Sequence, residues 1–228
     1  MNFKALKASV WISLKSLFLG LSIVVAVSHP ALAKPSEALN QTTQKYRSSK
    51  MVQMDVKKVI DSELLGKQTT YDGKIYLADG KFRWENKTPD ETLLVFDGAT
   101  IWSVQIPPKA FGGPNQVGIG KVDKKTKSQI LISTLLGRDP ISKSFKVLKE
   151  EKTKDSVKVE IAPLKDDLVV KSITLLLNPK EKKLMELSYV DDVGNKTKMQ
   201  FSNIKFLNKE DKKLFKYQPS KSDQVSNL

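Results

Sequence analysis

The sequence predicts a mainly β fold: one large antiparallel sheet that curls, with two short helical segments to cover its concave side. Three observations carry this. After residue 51, apolar and polar residues alternate with period two, as half-buried strands require. The turn signals Asp79-Gly80 and Asp97-Gly98 separate successive runs, which makes a meander. Strand spacing allows about ten strands, and a sheet of that size curls. Little helix is available to cover it, so the curl predicts an apolar cavity with a lid, suited to a greasy ligand.

Residues 36–49 are predicted to be helical. Pro35 bounds the segment, Ser36 caps it, and Ala38, Leu39, Thr42 and Tyr46 recur at helix spacing. Val52, Met54 and Val56 then alternate with Gln53, Asp55 and Lys57, so residues 51–60 form a strand. Further strands are expected at 71–78, 81–86, 91–96 and 100–106. Residues 107–115 hold three Pro and two Gly and form a loop. A short strand at 116–122 precedes the second helical segment, 124–138, with Ile130, Leu131, Thr134 and Leu135 on one side and Gly137 as its stop. Strands resume at 145–149, 157–162, 170–178, 183–190, 196–206 and 215–217. Asn178-Pro179 and Val193-Gly194-Asn195 mark turns.

The chain's first 33 residues read as a leader. Lys4, Lys7 and Lys15 give a positive start, residues 17–27 an apolar run, and Ala31-Leu32-Ala33 a small-x-small cleavage site. A membrane anchor would need about 20 apolar residues. No Cys follows the run, so the chain is not itself a lipoprotein. Cleavage after Ala33 would remove His29, the sole histidine, and three of the lysines, taking the net charge from +14 to +11. The remaining residues, 34–228, form a single domain.

Composition narrows the chemistry. The 228 residues include no Cys, which excludes a thiol nucleophile, a disulfide and a thiolate metal site. Without His beyond the leader, a Ser-His-Asp triad is excluded as well. The positive balance suits an anionic partner or simple solubility. Export argues against nucleic acid.

The ordered motifs then resemble a known family. Gly73-x-Ile75-Tyr76-Leu77, Gly80-Lys81-Phe82-Arg83-Trp84-Glu85, Pro89, and Leu94-Val95-x-Asp97-Gly98-x-x-Ile101-Trp102 are similar to the LolA family, periplasmic carriers of outer-membrane lipoproteins. Gln116-Val117, Leu135-Leu136-Gly137, Asp191-x-x-Gly194-Asn195-x-Thr197 with Phe201, and Phe215-x-Tyr217-x-Pro219 with Asp223-x-Val225 continue it in order. The resemblance implies mainly β structure with an α lid: a curved antiparallel sheet forming an incomplete barrel, its concave apolar face covered by short helices. It implies triacylated lipoproteins as cargo, an inner-membrane ABC-type lipoprotein-release complex as donor, and an outer-membrane acceptor. It implies a monomer with no cofactor, no metal and no catalytic residue.

One departure stands out. The family often carries Arg-Pro before the Gly-Lys-Phe-Arg-Trp stretch, and that arginine latches the lid. Here the turn is Ala78-Asp79-Gly80, one residue shorter and without Arg. Either another basic residue holds the lid, or the lid is held loosely.

Phe82 and Trp84 lie two apart on a strand and share a face. By the resemblance that face is the cavity. Ile75 and Leu77, Leu94 and Phe96, and Trp102 and Val104 are further same-face pairs, expected to wall an acyl-chain cavity. Their alternative is an ordinary closed core. Leu39, Tyr46, Ile130, Leu131 and Leu135 are the expected lid residues, covering the cavity when empty and swinging away when loaded. Basic clusters at 121–127, 180–183 and 209–216 are solvated faces or, for the first, a docking surface for anionic groups.

Gly113-x-x-x-x-Gly118 is followed by Ile119, so it is no phosphate-binding loop. Asp166-Asp167 and Asp191-Asp192 are expected in turns, since adjacent strand residues point to opposite faces. Two other functions remain open: a lipid- or lipoprotein-sensing regulator with the same fold, and a hydrolase working with Asp and Glu alone. The first needs an extra domain and the second fits poorly with apolar motifs.

Overall fold

The computed structural model describes residues 36–228; the leader, its cleavage site and Pro35 lie outside them. Helix α1 (Glu37–Ser48) starts where Ser36 accepts a hydrogen bond from the Leu39 N–H at 3.1 Å. Glu37 in its first turn and Lys45 and Arg47 in its last complement the helix dipole. Its buried stripe is Leu39, Thr42, Thr43 and Tyr46.

Strands β1 (Met51–Ser62), β2 (Lys67–Ala78), β3 (Lys81–Thr88), β4 (Thr92–Phe96) and β5 (Thr100–Gln105) follow as an antiparallel meander, and β6 (Gln116–Lys121) pairs with β5 after the Pro-rich loop. Helices α2 (Lys124–Gln129) and α3 (Leu131–Leu136) come next. Then β7 (Phe145–Lys152), β8 (Val157–Pro163), β9 (Val170–Asn178), β10 (Lys183–Asp191) and β11 (Lys196–Leu207) complete the meander, and β12 (Gln224–Asn227) ends the order. All twelve strands belong to one open curved sheet, ordered β12-β6-β5-β4-β3-β2-β1-β11-β10-β9-β8-β7.

Two-residue turns set the register. Asp79 (φ 42°) and Gly80 (φ 77°) both take the left-handed conformation that a tight hairpin needs. Ile75 therefore faces Trp84 and Leu77 faces Phe82. The same face continues through Phe82 opposite Phe96 and Trp84 opposite Leu94, and on to Phe96 opposite Ile101. On the other flank it runs from Val56 opposite Phe201 to Leu187 opposite Met199 and Leu175. With α1 and α3 laid across it, this face forms one continuous apolar core. Each fully buried side chain in it contributes roughly 1.5–3 kcal/mol.

Three expectations need correction. The helical segment 124–138 is two helices, broken at Ile130 (φ −98°, ψ 27°). Ile130, Leu131, Ile132, Leu135 and Leu136 are all buried, an arc wider than one straight helix can turn inward. Residues 215–217 are not a strand. A 3-10 turn, Lys212–Phe215, instead plugs Phe215 against Met51 and Ala78. The twelfth strand is instead β12, which no range anticipated, and its pairing with β6 is parallel.

The two outer strands differ in chemistry. β7 carries Lys146, Lys149, Glu150, Glu151 and Lys152. β12 is exposed at all four positions.

Candidate functional site

The concave face under α2 and α3 holds the apolar residues named from sequence. Ile75 and Phe82 are fully buried, and Leu77 and Trp84 are nearly so. Leu94 and Phe96 lie on the same face but keep partial access to solvent. From the lid, Leu39, Tyr46, Ile130, Leu131 and Leu135 all point into this core. The face assignment of Trp102 and Val104 was wrong. They pair with Val95 and Leu93, so they lie on the convex side in a separate cluster with Val117. Both faces of β4 are apolar because the segment after β11 returns across the convex side, where Tyr217 packs. Ile101 occupies the concave position that was assigned to Trp102.

A crevice of about 180 Å³ runs between lid and sheet, lined by Lys58, Phe82, Trp84, Ser128, Gln129, Leu131, Ile132, Val169, Tyr189, Asp191 and Met199. Ligand pockets typically enclose about 300–1,000 Å³, so the crevice falls below that range. A groove of about 650 Å³ on the outer side of α1 is lined by Gln41, Gln44, Lys45, Ser48 and residues 180–183. Its walls are polar and give an acyl chain nothing to pack on.

The two parts of the lid are fastened differently. Tyr46 of α1 stacks edge-on against Phe206 at 5.1 Å, and its hydroxyl accepts a hydrogen bond from the Leu184 N–H at 3.1 Å. Burial pushes that phenol well above its ordinary value. This anchor is dry and apolar. The fastenings of α2 and α3 are polar and near the surface. Lys124 pairs with Asp166 at 2.8 Å and Lys127 pairs with Asp167. The Ser128 hydroxyl accepts from the Val169 N–H at 3.0 Å. The expected turn role of Asp166-Asp167 therefore extends to holding the lid, and it neutralises part of the 121–127 basic cluster.

At the far end, Arg138 pairs with Asp79 at 3.2 Å, and the Ser133 hydroxyl donates to the Gly80 carbonyl at 3.1 Å. An ion pair thus ties the β2–β3 turn to the end of α3: the acid sits in the turn and the arginine just past the helix. Gly137 makes the close approach possible. A Cβ there would lie 2.1 Å from the Ser133 carbonyl oxygen. Its φ of −79° is not left-handed, so it ends the helix through lack of bulk.

An exposed ion pair contributes roughly 0–1 kcal/mol. Asp79→Asn, which removes the charge but still tolerates the left-handed backbone at this position, is therefore expected to leave the melting temperature nearly unchanged. It should speed amide exchange across α3 by about two- to threefold, the equivalent of such a pair. Hydrogen exchange resolved by mass spectrometry reads both the lid and the sheet; uniform acceleration would dismiss the latch.

Sequence reasoning missed Lys58. It projects from β1 into the crevice, where its ammonium sits 4.9 Å from the Trp84 ring centroid and 5.9 Å from that of Tyr71. Burial pushes it down to about 8 from the ordinary 10.5. The unfolded chain then holds more protons than the folded one between those values, so stability rises with pH across that window. Lys58→Met should raise stability at pH 7 by about 1–2 kcal/mol and flatten that rise. Thermal melts from pH 6.5 to 10 test it; parallel curves for both proteins would refute it. The indole N–H of Trp84, also in the crevice wall, is buried without an acceptor.

Known proteins share this architecture. The family model described as outer membrane lipoprotein carrier protein LolA matches residues 49–218. A Chromobacterium violaceum protein named outer-membrane lipoprotein carrier protein is 26% identical over 194 residues, which span 83% of this chain and 87% of that one. Among solved structures, an uncharacterized conserved protein from Thermus thermophilus has a TM-score of 0.50 at 13% identity, covering 84% of this chain and 98% of that one. A LolA superfamily protein from Nitrosomonas europaea has a TM-score of 0.45 at 11% identity, covering 81% of this chain and 99% of that one. At such identities a structural likeness speaks to the fold alone.

Proposed function

The chain belongs to the LolA family of outer membrane lipoprotein carrier proteins, and from that premise we propose that it shuttles triacylated lipoproteins across the periplasm. It takes them from an ABC-type release complex in the inner membrane and hands them to an outer-membrane acceptor. Its leader is removed after Ala33, and residues 34–228 work as one monomeric domain with no cofactor, metal or catalytic step. Nucleic acid is no partner.

The observation that carries this reading is an apolar concave wall closed by a lid with polar, exposed fastenings. Ile75, Leu77, Phe82, Trp84, Leu94 and Phe96 offer contact area without fixed geometry, which suits acyl chains. Each sequestered CH₂ contributes roughly 0.8 kcal/mol, so cargo is held firmly yet without directional bonds. Breaking the Lys124–Asp166 and Arg138–Asp79 pairs costs little, since both lie in solvent. In this scheme Ile130, Leu131 and Leu135 swing out with α2 and α3. Leu39 and Tyr46 stay with α1, because the Tyr46 anchor is buried.

The test is whether the purified protein forms a soluble one-to-one complex with a triacylated lipoprotein. Failure to hold that cargo, with removal of Phe82 and Trp84 changing nothing, would end the carrier reading. Hydrogen exchange should also show α2 and α3 losing protection on loading while α1 keeps it.

A further inference from the structure

A cation without a counter-ion lines the crevice. The Lys58 ammonium has no carboxylate within ion-pairing distance among the described residues and rests on the faces of Trp84 and Tyr71. Asp191 lines the same crevice, but its carboxylate is spent on the β10–β11 turn. It accepts from the Val193 N–H at 3.1 Å, from the Asn195 N–H at 2.8 Å and from the Asn195 side chain at 2.9 Å. The Trp84 indole N–H is buried with no partner. Tyr189, the other phenol in the wall, is already engaged with Thr197. An ammonium held over an aromatic face with no carboxylate beside it, in a largely apolar crevice, is a place where an acceptor oxygen gains a charge-assisted hydrogen bond.

We propose that Lys58, seated over Trp84, forms an oxygen-binding subsite that receives the polar end of a bound acyl group. The acceptor is the carbonyl oxygen of an ester-linked or amide-linked acyl chain, or the carboxylate of a free fatty acid. The chain then packs along Phe82, Leu131 and Met199 while its first carbon is fixed at β1 and β3. This deepens the carrier reading and rests on it: the apolar wall gives affinity, and the subsite gives depth and register.

The chemistry separates the oxygen from the chain. A carboxylate gains a charge-assisted bond from the ammonium, and a neutral carbonyl gains a weaker one. The titratable groups that face Lys58 are Tyr71 from β2 and Tyr189 and Asp191 from β10. From α2 it meets the uncharged Ser128 and Gln129. Its lowered ammonium value brings its own loss of charge near pH 8.

Binding of dodecanoate, methyl dodecanoate and dodecane to the purified protein tests the subsite. Trp102→Phe leaves Trp84 as the only tryptophan after residue 33, so its fluorescence reports the crevice. Both oxygen-bearing probes should shift that emission more than dodecane does. Lys58→Met should weaken dodecanoate by about tenfold or more and the methyl ester by about threefold, while dodecane binds unchanged or tighter. Dodecanoate affinity should fall as pH rises past about 8, and that of the ester should not.

A loss of ester affinity in Lys58→Met identifies acyl carbonyls, as lipoproteins carry, among the ligands of the subsite; an ester unaffected while dodecanoate weakens restricts the subsite to fatty-acid carboxylates. The proposal is overturned if Lys58→Met leaves both oxygen probes unaffected, or weakens dodecane equally. In either case dodecane still binds and the carrier reading stands. If the unmodified protein binds none of the three, the carrier reading and the subsite fall together.

Discussion

Locking α3 to the β2–β3 turn is expected to abolish cargo loading. A Cβ built on Gly80 would lie 3.6 Å from the Arg138 Cβ, within the range of about 3.5–4.5 Å that disulfides span. The chain contains no Cys, so the double variant Gly80→Cys/Arg138→Cys has a single possible intramolecular bridge. The left-handed backbone at Gly80 adds strain of about 1 kcal/mol, which the cross-link can carry. Oxidised protein should take up no lipoprotein, and reduction should restore uptake to near the unmodified level. The reduced form controls for loss of the Arg138–Asp79 pair. Full loading of the oxidised form would mean that this end of the lid does not move.

Phe82→Ala is expected to cost about 3–5 kcal/mol of stability. Phe82 is completely buried, facing Leu77 on one strand and Phe96 on the other. No neighbouring side chain can fill the hole without moving the lid. For a domain of this size the melting temperature should fall by about 10 °C. Leu94→Ala and Phe96→Ala remove side chains that already see solvent, so their stability cost should stay near about 1 kcal/mol while loading suffers. A calorimetric scan paired with a loading assay distinguishes the two classes. Equal stability losses at all three positions would show that the wall is a closed core.

Much of this was legible in the residues. Period-two alternation, bounded by Asp79-Gly80 and Asp97-Gly98, placed the meander, because those turns admit few other geometries. The wall formed by Ile75, Leu77, Phe82, Trp84, Leu94 and Phe96 was legible for the same reason. Trp102 and Val104 show where alternation stops helping. When both faces of a strand are apolar, period alone does not say which is concave. Counting outward from the Gly98-Ala99 turn would have done so, since it puts Phe96 opposite Ile101. The strand β12 has no buried side chain and so leaves no apolar trace. The ion pair of Arg138 with Asp79 was invisible because the two are 59 positions apart. Lys58 looked like one more solvated lysine, and only the fold sets it against Trp84.

The charged β7 edge bears on how an open sheet stays single. A sheet with an open border can recruit a strand from a second molecule, and exposed apolar surface makes such encounters longer. Lys146, Lys149, Glu150, Glu151 and Lys152 load that border with charges of both signs, and an incoming backbone would have to strip their water. These charges oppose strand addition at the β7 border. That border sits on the opposite flank of the sheet from β3 and β4, so changes to the apolar wall leave its charges in place.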